Sequence, residues 1–231
     1  MVTTEGTTEL IDAIRGRLQA AADPGRAAGA QAYMKSQMPS LGVRVPEVRG
    51  IVKAAAAAHP PGSLADLQST VLALWRSASF RDERYAAIEL TGLKLAAGEL
   101  SMLALYEEII RTGAWWDLVD GVAHRLGALL QAHRAELTPV LGRWSRDDDF
   151  WVRRAAITAQ LGAKAATDTA LLAAVIEANL HDPEFFIRKA IGWALRQYAR
   201  TDPAWVRAFV QRHWDDLSPL SRKEALRNLA A

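Results

Sequence analysis

The sequence predicts an all-α fold, a helical-repeat solenoid forming an α-α superhelix with a concave groove, and three observations carry that expectation. Apolar residues recur three and four apart through Ala-rich stretches such as Ala54 to Ala58, and the Val, Ile and Thr alternation of strands is missing. Start signals then cut the chain into short segments at Asp23-Pro24, Val45-Pro46, Asp182-Pro183 and Asp202-Pro203. Proline's fixed φ and missing N–H suit a first helical turn, and Asp23, Asp182 and Asp202 can cap that turn. Last, the chain repeats itself: RYAAI at Arg84 to Ile88, RRAAI at Arg153 to Ile157 and RKAI at Arg188 to Ile191.

Carried through WWDLVDGVA, that register aligns Tyr85, Asp120, Arg154 and Lys189, and in parallel Arg81, Trp116, Phe150 and Phe185, at a spacing of about 35 residues typical of helix-pair repeats. A single helix pair cannot bury its apolar face, so neighbours stack and equivalent side chains form a ladder along one surface. The Ala-Ala-Ile part of the echo reads as packing, so only the polar rungs inform on function.

Between the start signals, Gly62, Gly98, Gly113 and Pro60-Pro61 read as turns, and no long Gly/Ser linker separates independent parts. A single domain over 1–231 is therefore expected. The composition is that of an ordinary globular chain: of 231 residues, 50% are hydrophobic and 23% charged. Cysteine is absent from the sequence, which removes disulfides, thiolate metal sites and cysteine nucleophiles together. The N-terminus lacks a signal-peptide pattern, and no apolar run reaches the roughly 18 residues of a spanning helix, so a membrane location is not expected. A net charge of +2 permits nucleic-acid binding without arguing for it.

In AWWDLVD, Trp116 and Asp120 are four apart, which on a helix puts indole and carboxylate on one face. Arg154 holds the same rung one repeat on, with Lys189 beyond it, and Trp193 follows Lys189 as Asp120 follows Trp116. A carboxylate flanked by two indoles and by cations could address one ligand. Plainer readings compete: tryptophans on repeats are more often packing residues, and an aspartate opposite an arginine is more often an inter-repeat ion pair. Trp115, Trp75, Trp144, Trp151, Trp205 and Trp214 read as packing, while Arg153 and Arg188 either bridge repeats or reach phosphates. His59, His124, His133, His181 and His213 lack metal-ligand spacing, and HExxH, P-loop, GxSxG and GxGxxG motifs are missing. Neither a metal nor a cofactor is expected. Lys189 could in principle form a Schiff base, but its arginine-rich surroundings fit phosphate binding better.

In order along the chain, YMKSQMPSLGV at Tyr33 to Val43, ERYAAIEL at Glu83 to Leu90, WWDLVD, FWVRRAAI and FFIRKAIGWALRQYA at Phe185 to Ala199 resemble the AlkD-like DNA alkylation-repair glycosylases, built from HEAT-like repeats. The resemblance covers nearly the whole chain. It implies that Asp120 is catalytic, that Arg154 binds DNA, and that Tyr33, Trp116 and Trp193 are aromatics facing the DNA.

What it implies chemically is a monofunctional DNA glycosylase of base excision repair, acting on double-stranded DNA that carries alkylated purines such as 3-methyladenine, 7-methylguanine or bulkier adducts. An N3- or N7-alkylated purine is already cationic and leaves without protonation, so the work falls on the sugar. Asp120 would stabilise the growing oxocarbenium charge and position water, Trp116 and Trp193 would offer π-faces to that cation, and Arg154, Lys189, Arg153 and Arg188 would hold the backbone. The resemblance further implies a lesion that stays stacked, hence no deep base pocket, and a cytoplasmic, nucleoid-associated monomer. The rivals are a catalytically silent HEAT-like scaffold binding DNA or protein and, more remotely, a bilin-lyase-like repeat enzyme with an apolar groove.

Overall fold

A computed structural model describes residues 5–229. Among the described residues there are thirteen α-helices, three short 3-10 turns and no strand, so the chain is all-α as the sequence predicts. Two compact units divide it, one ending at Leu105 and the other beginning at Tyr106. No described helix is long and apolar enough to cross a membrane.

The first unit contains α1 (Glu5–Ala20), α2 (Pro24–Met34), α3 (Val45–Ala58), α4 (Leu64–Arg76) and α5 (Arg81–Leu90). Helix α1 packs on α3, α4 and α5, and the latter three close around it. Their shared core includes Leu10, Ile14, Leu18, Val48, Val52, Leu67, Val71, Leu74 and Trp75, all nearly inaccessible. Asp23 caps α2 as its sequence position predicts, its side chain accepting from the Arg26 N–H. The loop between α2 and α3 is held by Asp82, a fully buried carboxylate that accepts from the Leu41 N–H at 2.7 Å, the Val43 N–H at 3.0 Å and the Ser40 hydroxyl at 3.0 Å. Gly42 sits between those donors at φ +80, where a Cβ would lie 2.3 Å from the Asp23 carbonyl oxygen, so no other residue fits there.

The second unit is built from α7 (Trp116–Ala132), α8 (Arg134–Trp144), α9 (Phe150–Thr158), α10 (Thr169–Glu177), α11 (Phe185–Tyr198), α12 (Pro203–Arg212) and α13 (Pro219–Leu226); α6 (Leu103–Gly113) crosses the boundary. Helices α7, α9, α11 and α13 start at 116, 150, 185 and 219, in steps of 34, 35 and 34 residues. Each packs against the next, while α8 and α10 form a second layer behind α9. The echoed Ala155, Ala156, Ile157, Ala190 and Ile191 are buried between these helices. Small residues allow the helices to approach: a Cβ on Gly127 would stand 2.7 Å from the Ala159 carbonyl oxygen, and one on Gly192 would stand 2.6 Å from the Glu224 Cβ. Hydrogen bonds about one repeat long tie successive pairs together, among them Asn179 Nδ2 to the Ser145 carbonyl at 2.8 Å and Ser221 Oγ to the Arg188 carbonyl at 2.9 Å.

One predicted start is displaced. Asp182-Pro183 does not open α11, which begins at Phe185 with Glu184 as its cap. Asp182 instead accepts from the Glu184 N–H and from Arg153, so its carboxylate shapes the approach to the helix and bridges repeats.

Candidate active site

Arg81, Trp116, Phe150 and Phe185, aligned by the sequence echo, are each the first residue of a helix: α5, α7, α9 and α11. The polar rung therefore lies one turn in, at Tyr85, Asp120, Arg154 and Lys189, on the face set by the i,i+4 relation. Helix α7 starts after Trp115, which supplies no side-chain cap, and Asp117 sits in its first turn, where a negative charge suits the exposed N–H groups.

Asp120 and Arg154 meet directly. Arg154 Nε donates to Asp120 Oδ1 at 2.9 Å and Arg154 Nη2 to Oδ2 at 2.7 Å, a bidentate pair joining α7 to α9. The third arm, Nη1, donates to the Phe186 carbonyl at 2.6 Å, which extends the link to the start of α11. The guanidinium is almost wholly enclosed, its side chain 6% exposed, whereas the Asp120 side chain is 15% exposed. Each carboxylate oxygen spends one lone pair on the arginine and keeps another. Burial pushes the Asp120 carboxyl above the usual aspartate range; Arg154 pulls it back and the nearby Asp117 charge adds to the rise. The result is an ionisable carboxylate, oriented by a fork and partly open to solvent.

An aromatic wall stands beside that pair. Trp115, Trp151 and Phe186 are in mutual ring contact with centroids 4.9 to 6.0 Å apart, and Phe150 and Phe185 pack on the outside of the group. Trp115 and Trp151 are thus packing residues, as the sequence suggests, although the Trp115 indole N–H is buried with no hydrogen-bond partner among the described residues. Trp75 and Trp144 are buried, and Trp205 stacks on Phe209. Trp214 departs from the expectation: it is 44% exposed and covered by the Arg222 guanidinium, 4.6 Å from the ring centroid.

The other expected site residues fall as follows. Trp116 is half-buried one turn before Asp120, and Trp193 is half-buried on α11, two helices away from α7. Lys189 pairs with Glu224 on α13 at 3.3 Å, and Arg196 reaches the same carboxylate. Arg153 bridges repeats through Asp182 at 2.8 Å and the Asp147 and Asp148 carbonyls, while Arg188 donates to the Asp182 carbonyl at 3.0 Å. Tyr33 belongs to the first unit, where it is 73% exposed and lines a cleft with Arg26, Arg44, Arg81 and Tyr85. Arg81 there donates to the Tyr85 hydroxyl at 3.0 Å.

Two contributors were not legible. The Phe186 carbonyl is a backbone group, which no side-chain pattern signals. Glu224 has a weak signal, because it lies 35 residues beyond Lys189 and so falls on the repeat spacing, but SRKEAL carries no aromatic or Ala-Ala-Ile echo to draw notice. Among the described residues no group of three or more His, Cys, Asp or Glu side chains could hold a metal ion.

This arrangement of helix pairs has solved counterparts. A protein from Enterococcus faecalis described as a predicted DNA alkylation repair enzyme superposes with a TM-score of 0.80 at 31% sequence identity, covering 90% of this chain and 97% of its own. Residues 14–229 match the family model of the DNA alkylation repair enzymes. The chain belongs to that family. For a DNA alkylation repair enzyme, the fold also extends to more distant structures: smu.31 from Streptococcus mutans UA159 (TM-score 0.60, 15% identity, 80% of this chain and 96% of that one) and AlkD2 from Streptococcus mutans (TM-score 0.60, 16% identity, 78% and 89%). These two likenesses speak to the fold alone. Among curated proteins no sequence matches significantly. Membership in a DNA alkylation repair family makes this an enzyme of DNA repair and implies DNA as what it binds.

Proposed function

We propose that this repair enzyme is a monofunctional DNA glycosylase that hydrolyses the N-glycosidic bond of N3- or N7-alkylated purines in duplex DNA, with Asp120 as the catalytic carboxylate. The observation that carries this reading is the state of Asp120: a single, partly exposed carboxylate, fixed in orientation by a bidentate arginine, one helical turn from Trp116. When the bond between C1′ and the purine nitrogen breaks, its electron pair leaves with the base and cancels the positive charge that alkylation placed there. Positive charge appears instead on the sugar, where a nearby carboxylate stabilises it in a low-dielectric setting. Water then adds at C1′ and sheds a proton, for which Asp120 is a suitable acceptor. Arg154 holds the carboxylate in place, so its part in this scheme is positioning as well as any contact to phosphate.

Trp116 and Trp193 would add attraction between π-faces and the cationic sugar, on the order of 0.5–2 kcal/mol each. Lys189, Arg188 and Arg153 would contribute to backbone binding, each from within an existing contact to protein, and Tyr33 would add an exposed aromatic from the first unit. The test is release of 7-methylguanine from methylated duplex. Asp120→Asn retains an acceptor for Arg154 and is expected to keep fold and DNA affinity while losing base release; release at the wild-type rate would end this mechanism.

One observation favours a second reading, a catalytically silent DNA-binding repeat protein. The Asp120–Arg154 pair joins two successive helices, which is reason enough for both residues to exist as structural partners. On that reading the wild-type chain binds duplex but releases no base from it.

A further inference from the structure

The second unit contains a cleft remote in sequence register from Asp120, at the C-terminal ends of α9 and α11 rather than near their starts, with a volume of about 180 Å³. Its floor is apolar and well buried, formed by Ile157, Leu172 and Ala194. Its rim is polar: Lys164, Gln197, Tyr198 and Arg200 line the same cleft. Among the described residues, none of these four side chains has a hydrogen bond or ion pair through its polar end. That sets them apart from the cations that tie repeats together, since Arg111, Arg134, Arg153, Arg154 and Lys189 all have carboxylate partners.

The rim is also built rather than incidental. Gln160, itself buried, spans the loop that carries Lys164: its Nε2 donates to the Asp168 carbonyl at 3.0 Å and its Oε1 accepts from the Asp168 N–H at 2.7 Å. Lys164 opens a short 3-10 turn with φ 52, a left-handed conformation that is strained for a non-glycine residue. The stapled loop sustains that strain and fixes where the lysine starts from. On the other side, Arg200 adds positive charge: burial first, and then the charges of Arg227 and Arg200, lower the proton affinity of Arg196. Burial and the Asp202 charge hold the Tyr198 hydroxyl in its protonated form, so it is a donor. Asp202 is itself occupied in capping α12 through the Trp205 N–H.

An ammonium, a guanidinium, an amide NH2 and a phenol together offer many donors and two positive charges around one small space. A terminal phosphate, with three acceptor oxygens and a charge near minus two, matches that set better than a carboxylate does. The apolar floor asks for a compact carbon body attached to it. We propose that this cleft is a second ligand site, which binds a small organic phosphate monoester with its phosphate held by Lys164 and Arg200 and its carbon skeleton on Ile157, Leu172 and Ala194.

The test uses the full chain in isothermal titration calorimetry with phenyl phosphate, alongside inorganic phosphate and phenol as the separate halves of that ligand. Phenyl phosphate is expected to bind saturably and about tenfold more tightly than either half. Lys164→Ala and Arg200→Ala, both surface changes, should each weaken it about tenfold, and Tyr198→Phe by a smaller factor, with thermal melts unchanged. Lys164→Ala should release 7-methylguanine as the wild type does, which separates this site from the one at Asp120. No saturable heat up to millimolar ligand, or binding that ignores both alanine variants, would overturn the proposal. Displacement of phenyl phosphate by an undamaged duplex would overturn it too, by reassigning the cleft to the DNA backbone.

Discussion

At the scale of single residues, Asp120 is governed by two opposed effects. Burial raises its carboxyl and the Arg154 fork lowers it, with burial the larger, so the group takes up a proton above the ordinary aspartate value of 3.8. If the carboxylate form performs the chemistry, base release should fall on the acid side at a pH above that value. Arg154→Gln removes the opposing cation, and the midpoint should move further up, as initial rates across pH corrected for spontaneous depurination would reveal; an unmoved midpoint would exclude Asp120 as the titrating group. The same substitution leaves a largely buried carboxylate without its partner, which costs about 3–5 kcal/mol of stability, so a thermal melt must accompany the rates. Asp82 offers a contrast, because it is fully buried and accepts three hydrogen bonds from the α2–α3 loop, far from any proposed chemistry in sequence. Asp82→Ala strands the Leu41 and Val43 N–H groups and should cost about 3 kcal/mol in chemical denaturation, a loss of folding rather than of a catalytic group.

At the scale of elements, the stacking of α7, α9, α11 and α13 depends on positions where a side chain would not fit. A Cβ on Gly192 would lie 2.6 Å from the Glu224 Cβ and 3.1 Å from the Ser221 carbonyl oxygen, so Gly192→Ala has to push α13 away from α11. Gly127 faces backbone, the Ala159 carbonyl oxygen, which cannot swing aside as a side chain can. Each alanine should cost about 1–3 kcal/mol by overpacking and lower the melting temperature by several degrees. Gly142 is the internal control: it lies within α8 with nothing near the place of a Cβ, and Gly142→Ala should stabilise by roughly 0.5–1 kcal/mol through helix propensity alone. Equal effects at all three glycines would mean that close approach between repeats is not what they provide. Helix starts were readable where a capping side chain precedes a proline, as at Asp23 and Asp202. At Asp182 the same signal misled, because the carboxylate is drawn into a bridge to Arg153 that depends on the neighbouring repeat.

At the scale of the whole molecule, the repeat was legible because packing forces the same small residues to recur, and the rung positions followed from it by counting. Partnerships were less so: that Asp120 faces Arg154 is implied by the register, but that Arg154 also reaches the Phe186 carbonyl, or that Glu224 serves both Lys189 and Arg196, depends on side-chain reach that spacing does not encode. The same partnerships bear on DNA binding. With 28 Lys and Arg against 26 Asp and Glu, the chain has no large overall field to draw DNA in, so affinity has to come from local surplus. Around Glu224 there is such a surplus, since one carboxylate is shared by Lys189, Arg196 and Arg227. A phosphate brought to that cluster would find cations only partly neutralised by protein. Binding of undamaged duplex should therefore weaken steeply with salt, and Lys189→Ala should reduce the slope of log K against log salt by about 0.9, one phosphate's share, with the same loss for any sequence. Glu224→Gln frees the cluster and should strengthen binding at low salt, whereas Asp120→Asn should leave the slope as it is. A slope untouched by Lys189→Ala would place the phosphate contacts elsewhere and reduce Lys189 to a tie between α11 and α13.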